Sequence, residues 1–279
     1  MKNILIPTDF SDNAWNAIEY GIAFLKKTKC KFHIVHVNPI ASFSDGEVAM
    51  YASQEVFRES LIEKSLEKLQ KLLEKIERLP LNTKHTFYTS AFYGFFTDYI
   101  KEEVKNKDID FIIMGTKGAN GIKAVSMGSN TGNVITKVKC PVLAVPQNAE
   151  YHRPKEIVFP TDYYLSYDIK VLENIKELAS LNHSTIRFLY LSKAGEKLTQ
   201  EQTKNQEFLS GYFSEIENSF HKITGEKLET AVQCFTESRK VDMIVMVAKN
   251  LNFLERILFK PKVEKISYHI TIPFLVLHE

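Results

Sequence analysis

No stretch of this sequence approaches the roughly 18 consecutive apolar residues that a membrane span requires, so a membrane partner is not expected. The N-terminus, Met1-Lys-Asn-Ile-Leu-Ile-Pro7, lacks the apolar core of a secretory signal. Cysteine is scarce. Cys30, Cys140 and Cys234 are odd in number and widely spaced, which argues against a disulfide framework and fits a reduced, cytoplasmic setting. Charge of one sign is lacking too: 36 Lys and Arg against 34 Asp and Glu leave +2. No basic cluster dominates a segment, so nucleic acid is not an expected partner. The phosphate-loop signature Gly-x-x-x-x-Gly-Lys-Ser/Thr and the Gly-x-Ser-x-Gly elbow are both absent. The histidines are scattered. His33 and His36 lie three apart on an expected strand, face opposite sides and make a poor metal pair. No catalytic residue and no metal ligand is assigned.

What the sequence does contain is itself, twice. Ile4-Leu-Ile-Pro-Thr-Asp9 recurs as Ile157-Val-Phe-Pro-Thr-Asp162. Asp110-Phe-Ile-Ile-Met114 recurs as Asp242-Met-Ile-Val-Met246, and Cys140-Pro-Val-Leu-Ala-Val145 as Ile272-Pro-Phe-Leu-Val-Leu277. The first match is offset by 153 positions and the others by 132, so the second copy is 21 residues shorter in its middle. A period this long means two similar domains rather than a solenoid. They are expected at 1–148 and 154–279, divided by a polar stretch with prolines at its edges. Phe235 lies only seven residues before Asp242, so the deficit is expected to remove most of the third helix of the second copy.

Each copy alternates strand and helix signals. In the first, strands are expected at 3–7, 31–37, 83–89, 110–114 and 142–145. Helices are expected at 12–27, 51–79, 95–106 and 130–139. Ser11 is placed to cap the first helix, with Trp15, Ile18, Ile22 and Leu25 on one face. The second carries Ile62, Leu66, Leu69, Leu73 and Ile76. That 4-3 spacing lasts about two heptads, too short for a coiled coil, and points to packing on a sheet. Strands alternating with helices predict an α/β fold with an open, mostly parallel five-stranded sheet in each domain.

The most informative stretch is Gly115-Thr-Lys-Gly118, nine further residues, then Gly128-Ser129. Strand, glycine loop and helix start present backbone N–H groups and a positive helix end to a phosphate. The bland alternative is a pair of ordinary turns. In an open parallel sheet, ligands bind beyond the carboxyl ends of strands where the strand order reverses. Pro7, Thr8 and Asp9, then Val37, then Met114 and Gly115 should meet there. Asp9 suits a ribose hydroxyl or a base amino group, and the backbone at Val37 suits a base edge. Gly118 clears the phosphate loop, and Gly128, Ser129, Asn130 and Thr131 open the helix. Lys117 and Lys123 are either phosphate contacts or solvated loop residues. Asp9 has a structural alternative as a carboxylate favoured by the helix dipole, and Ser129 and Thr131 as plain caps.

These motifs resemble the universal stress protein family of the UspA type, in a tandem two-domain form. Its ATP-binding members show Gly-x-x-Gly, nine residues, Gly-Ser/Thr, matched here by Gly115, Gly118, Gly128 and Ser129. The opening Ile4-Leu-Ile-Pro-Thr-Asp-Phe-Ser11 and the closing Cys140-Pro-Val-Leu-Ala-Val145 are also similar. The resemblance implies two Rossmann-like domains of the adenine nucleotide alpha hydrolase-like kind, with ATP in the first; Mg2+ is the metal ion considered alongside the ATP. Asp9 and Val37 would contact the adenosine, and Gly115, Gly118, Gly128, Ser129 and Thr131 the phosphates. Asn130 stands where the family usually has valine. The resemblance also implies pairing of the two domains through their last strands, as an intrachain pseudo-dimer; a homodimer of the chain stands as an open alternative beyond that pairing.

In the second copy Gly115, Gly118, Gly128 and Ser129 become Val247, Asn250, Lys260 and Pro261. Side chains replace bare backbone, and proline removes a donor N–H. The second domain is therefore expected to bind no ATP. The expected role is an ATP-binding regulator in a stress response. A slow Mg-dependent ATP hydrolase, an interaction scaffold with no nucleotide, and a binder of another ligand such as AMP, cyclic AMP or a lipid stand as alternatives.

Overall fold

The computed structural model describes residues 1–40, 51–116, 129–164, 168–192, 195–225, 228–248 and 272–278. The described residues up to Asn148 form one compact unit and those from Ala149 another. In the first unit the elements run β1 (Lys2–Pro7), α1 (Asp12–Phe24), β2 (Cys30–Asn38), α2 (Tyr51–Glu77), β3 (His85–Tyr93), α3 (Phe96–Asn106), β4 (Phe111–Gly115), α4 (Ser129–Lys137) and β5 (Val142–Val145). The strands lie in the order β3-β2-β1-β4-β5, and every pair is parallel. The second unit runs β6 (Glu156–Pro160), α5 (Ile169–Asn182), β7 (Thr185–Ser192), α6 (Gln200–Tyr212), β8 (Asn218–Thr224), α7 (Leu228–Arg239), β9 (Met243–Val247) and β10 (Phe274–Leu277). Its order, β8-β7-β6-β9-β10, repeats the first, again all parallel. Each sheet is the five-stranded parallel α/β sheet that the repeat predicts.

Strands β4 and β5 are covered on both faces. Ile112, Ile113 and all four residues of β5 are fully buried, which is why they read as continuous apolar runs rather than alternating ones. The aspartate before each fourth strand recurs for a structural reason. The Asp110 carboxylate accepts from the Asn3 amide at 2.7 Å. Asp242 accepts from the Lys155 and Glu156 amides at 2.8 and 2.9 Å. Each ties the start of its fourth strand to the start of its first.

Three expectations need correction. The inward face of α1 is Asn13, Ala14, Ala17, Ile18, Tyr20 and Gly21, not the face of Trp15, Ile22 and Leu25. Small residues win because they let the helix approach β4, where a Cβ on Gly21 would meet the end of Ile113 at 2.6 Å. On α2, Leu69 and Ile76 are buried as expected but Leu66 is 45% exposed. Ser65 points inward instead: its hydroxyl accepts from the buried Asn38 amide nitrogen at 3.0 Å and donates its one proton to Leu61 O at 2.8 Å. Finally, the third helix of the second copy is present as α7. The shortening falls in the second crossover, where α6 has 13 residues against 27 in α2. Phe235 lies inside α7, not beside a strand end, so its distance from Asp242 misplaced the deletion.

Candidate functional site

The strand order reverses between β1 and β4, so the crevice lies beyond the carboxyl ends of β1, β2 and β4. At the end of β1, Pro7 and Thr8 are buried and Asp9 is half-buried. Thr8 N donates to Val35 O at 2.8 Å, continuing the β1–β2 contact one residue past Pro7. Phe10 then adopts φ 64°, the left-handed region that costs a bulky residue roughly 1–2 kcal/mol. Local hydrogen bonds offset this. Phe10 N donates to the Thr8 hydroxyl at 3.0 Å, and the Ser11 amide and hydroxyl donate to Asp9 Oδ1 at 3.1 and 2.5 Å. Ser11 Oγ in turn accepts from Ala14 N, capping α1 as the sequence predicts.

Val37 is buried near the end of β2 and pairs with Phe92 on β3. Main-chain groups alternate sides along a strand, so Val37 presents its N–H and C=O on the same side as Val35, toward β1. The β1 ladder ends at Pro7 opposite Val35, so this edge of Val37 faces the crevice.

At the end of β4, Met114 is buried and Gly115 is the last strand residue. Gly115 is needed there for packing. A Cβ on it would lie 2.8 Å from Asn13 Cγ and 3.0 Å from Asn13 O. Asn13, buried on the first turn of α1, thus sits between the β1 corner and the β4 end, and sequence reasoning gave it no role. Thr131 is also buried, and its hydroxyl donates to Gly115 O at 2.7 Å. That hydrogen bond ties the start of α4 to the end of β4. Ser129 and Asn130 lie exposed at the start of α4. Gly118 and Gly128, with Lys117 and Lys123, lie outside the described residues.

His36 was missed as well. Its Nδ1 lies 2.7 Å from Thr8 O and its ring packs on Phe10 with centroids 4.6 Å apart. Lys68 of α2 lies over the same Phe10 ring at 5.4 Å. The only sequence signal for His36 was its place directly before Val37.

The second unit repeats the corner and fills it. Thr161 N donates to Leu189 O at 2.9 Å, Tyr163 has φ 58°, and Tyr163 N donates to Thr161 Oγ1 at 3.0 Å. Asp162 Oδ1 accepts from Tyr164 N at 3.0 Å, as Asp9 does from Ser11. This shared turn explains why Thr-Asp persists in both copies. Around it, the buried Gln202 donates to Asp162 O at 2.8 Å and Asn205 to Tyr163 O at 2.6 Å. Gln202 is held in turn by a capping box with Thr199. Tyr163 packs on Tyr190 at 5.3 Å, and burial pushes its phenol up to about 12. Val247, buried, replaces Gly115. Asn250, Lys260 and Pro261 lie outside the described residues.

Among the described residues no three His, Cys, Asp or Glu side chains group as metal ligands. No described helix is long and apolar enough to cross a membrane. The three cysteines are free.

Open parallel sheets with a crevice at the strand-order reversal place both units among Rossmann-like α/β proteins. Residues 1–146 match the family described as the universal stress protein family. The chain belongs to that family. It is 30% identical over 144 residues to universal stress protein MJ0531 of Methanocaldococcus jannaschii, covering 52% of this chain and 81% of that protein. It is 30% identical over 152 residues to MJ0577 of the same organism, covering 52% and 94%. A universal stress protein structure from Archaeoglobus fulgidus covers 99% of this chain and 98% of its own, at 18% identity and a TM-score of 0.71. That likeness extends the fold to both copies.

Proposed function

We propose that the first unit binds an adenine nucleotide, ATP with Mg2+, that the second unit binds none, and that the protein acts as a nucleotide-responsive regulator in a cytoplasmic stress response. One observation carries the reading. The Thr8-Asp9 corner, the Val37 edge and Gly115 stand at the carboxyl ends of β1, β2 and β4, with Thr131 tying the start of α4 to Gly115, whereas the matching corner of the second unit is covered by Gln202 and Asn205. The choice of adenine follows the ATP-binding members of the family, whose glycine pattern this sequence carries at Gly115, Gly118, Gly128 and Ser129.

Each group has a role it can fill. The Val37 backbone supplies one donor and one acceptor to a base edge, and Asp9 a carboxylate to ribose hydroxyls. The α4 start supplies N–H groups and the positive end of a helix to phosphate. Charge-assisted hydrogen bonds contribute about 1.5–3 kcal/mol each, so three or four support micromolar affinity after association costs. Mg2+, when bound, neutralises phosphate charge. The test is calorimetric titration of nucleotide-stripped protein with Mg-ATP. The expected result is one site per chain, abolished by Gly118→Val. Two sites per chain, or none, would contradict the reading.

A further inference from the structure

His36 reaches back from β2 across the end of β1. Its Nδ1 is 2.7 Å from the Thr8 carbonyl. A carbonyl oxygen only accepts, so Nδ1 carries the ring proton. Phe10 packs on one side of this contact and Lys68 lies over Phe10, so groups from β2, the corner and α2 hold together there.

The place of Thr8 matters. It follows the last ladder pair, Pro7 with Val35. Were β1 to continue beside β2, the Thr8 carbonyl would be the acceptor for Val37 N–H in the parallel pattern. The carbonyl is instead engaged by His36, and the chain turns away at Phe10. Among the described residues no main-chain hydrogen bond joins Val37 to β1.

We propose that His36 is a positioning residue for the nucleotide. By holding the Thr8 carbonyl it fixes the Thr8-Asp9 corner and leaves the Val37 main-chain edge to a base. This role rests on the nucleotide reading of the first unit. The second unit supplies an internal contrast. Tyr190 stands in the place of His36, its hydroxyl lies 3.5 Å from Gln202 Nε2, and Gln202 covers the corner.

Two measurements test the role. Long-range 1H–15N spectra of the nucleotide-free full chain should show the His36 ring protonated at Nδ1; protonation at Nε2 alone overturns it. Titration with Mg-ATP then compares wild type with three variants. Loss of one hydrogen bond predicts about 3- to 10-fold weaker binding for His36→Phe. His36→Asn, whose amide reaches the place of Nδ1, should bind within about twofold of wild type. His36→Gln places its amide one bond too far, and should weaken binding as Phe does even if the Phe variant fails to fold. Wild-type affinity in His36→Phe or His36→Gln, or equal loss in His36→Asn, overturns the positioning role and leaves the nucleotide reading standing. If wild type itself binds no Mg-ATP, the nucleotide reading fails and the role fails with it.

Discussion

A methyl group at Gly115 would separate the two reasons a glycine can stand there. In Gly115→Ala the new Cβ lies 2.8 Å from Asn13 Cγ and 3.0 Å from Asn13 O, and overlaps the Asn13 amide nitrogen more closely still. Real contacts of this kind sit nearer 3.5–4.0 Å, so either the side chain or the first turn of α1 must move. Overpacking of a tight site costs typically about 1–3 kcal/mol, and the middle of that range, about 2 kcal/mol, is expected here. Asn13→Ala removes the amide but not the main-chain oxygen. It should therefore recover about half of the loss in the double variant, a coupling of about 1 kcal/mol. The assay is urea unfolding followed by fluorescence of Trp15, the single tryptophan of the chain, two residues from Asn13 on α1. Trp15 reports the first unit alone, which keeps the transition interpretable in a two-unit protein. Nucleotide-free Gly115→Ala as stable as wild type would refute the packing account and return Gly115 to a role in ligand approach only. Additive single effects would refute the assignment of the clash to Asn13.

Two further predictions concern groups away from the crevice. Burial pushes the Cys30 thiol up to about 11 and the Cys140 thiol up to about 12, while Cys234 is exposed. A thiol-specific chromogenic reagent at pH 8 should label one cysteine quickly in the native protein and three after denaturation; rapid labelling of Cys30 or Cys140 would contradict the core packing. His221 is held below its ordinary 6.5 by burial first, then by Arg239 and Arg187, with Glu156 acting in the opposite sense. The unfolded chain therefore takes up its proton first as pH falls, and stability drops as pH passes down through about 6.5. The native ring is a neutral acceptor, 2.7 Å from Ser219 Oγ, whose own lone pair accepts from Arg187 at 2.9 Å. Comparing urea midpoints at pH 7.5 and 5.5 by circular dichroism should show a smaller drop in His221→Gln than in wild type; equal drops would contradict it.

The alternation of strand and helix was legible because β4, β5, β9 and β10 are apolar without interruption and the caps are chemically distinct. Ser11 caps α1 where its hydroxyl predicts. The repeat was legible because the residues it preserves fix main chain: Asp110 and Asp242 tie strand starts, and Thr8 and Thr161 hold left-handed corners. What hydrophobic spacing misses is close approach. α1 buries Ala14, Ala17 and Gly21 rather than Trp15, because helix-to-sheet distance, not hydrophobicity, selects that face. The same blindness hid Asn13, whose partner is the absent side chain of Gly115. His36 and the α6 plug of Gln202 and Asn205 escaped because each acts on main-chain carbonyls distant in sequence, which no spacing rule encodes. The deletion was misplaced because its length was counted correctly while its position was inferred from a phenylalanine inside a helix.

Amide hydrogen exchange of the full chain with and without saturating Mg-ATP tests the central claim most directly, because it locates the ligand as well as detecting it. The account predicts added protection at residues 8–11, 36–38 and 129–131, and none at the matching corner of the second unit, residues 161–164. Equal protection at both corners, or protection confined to 161–164, would contradict it.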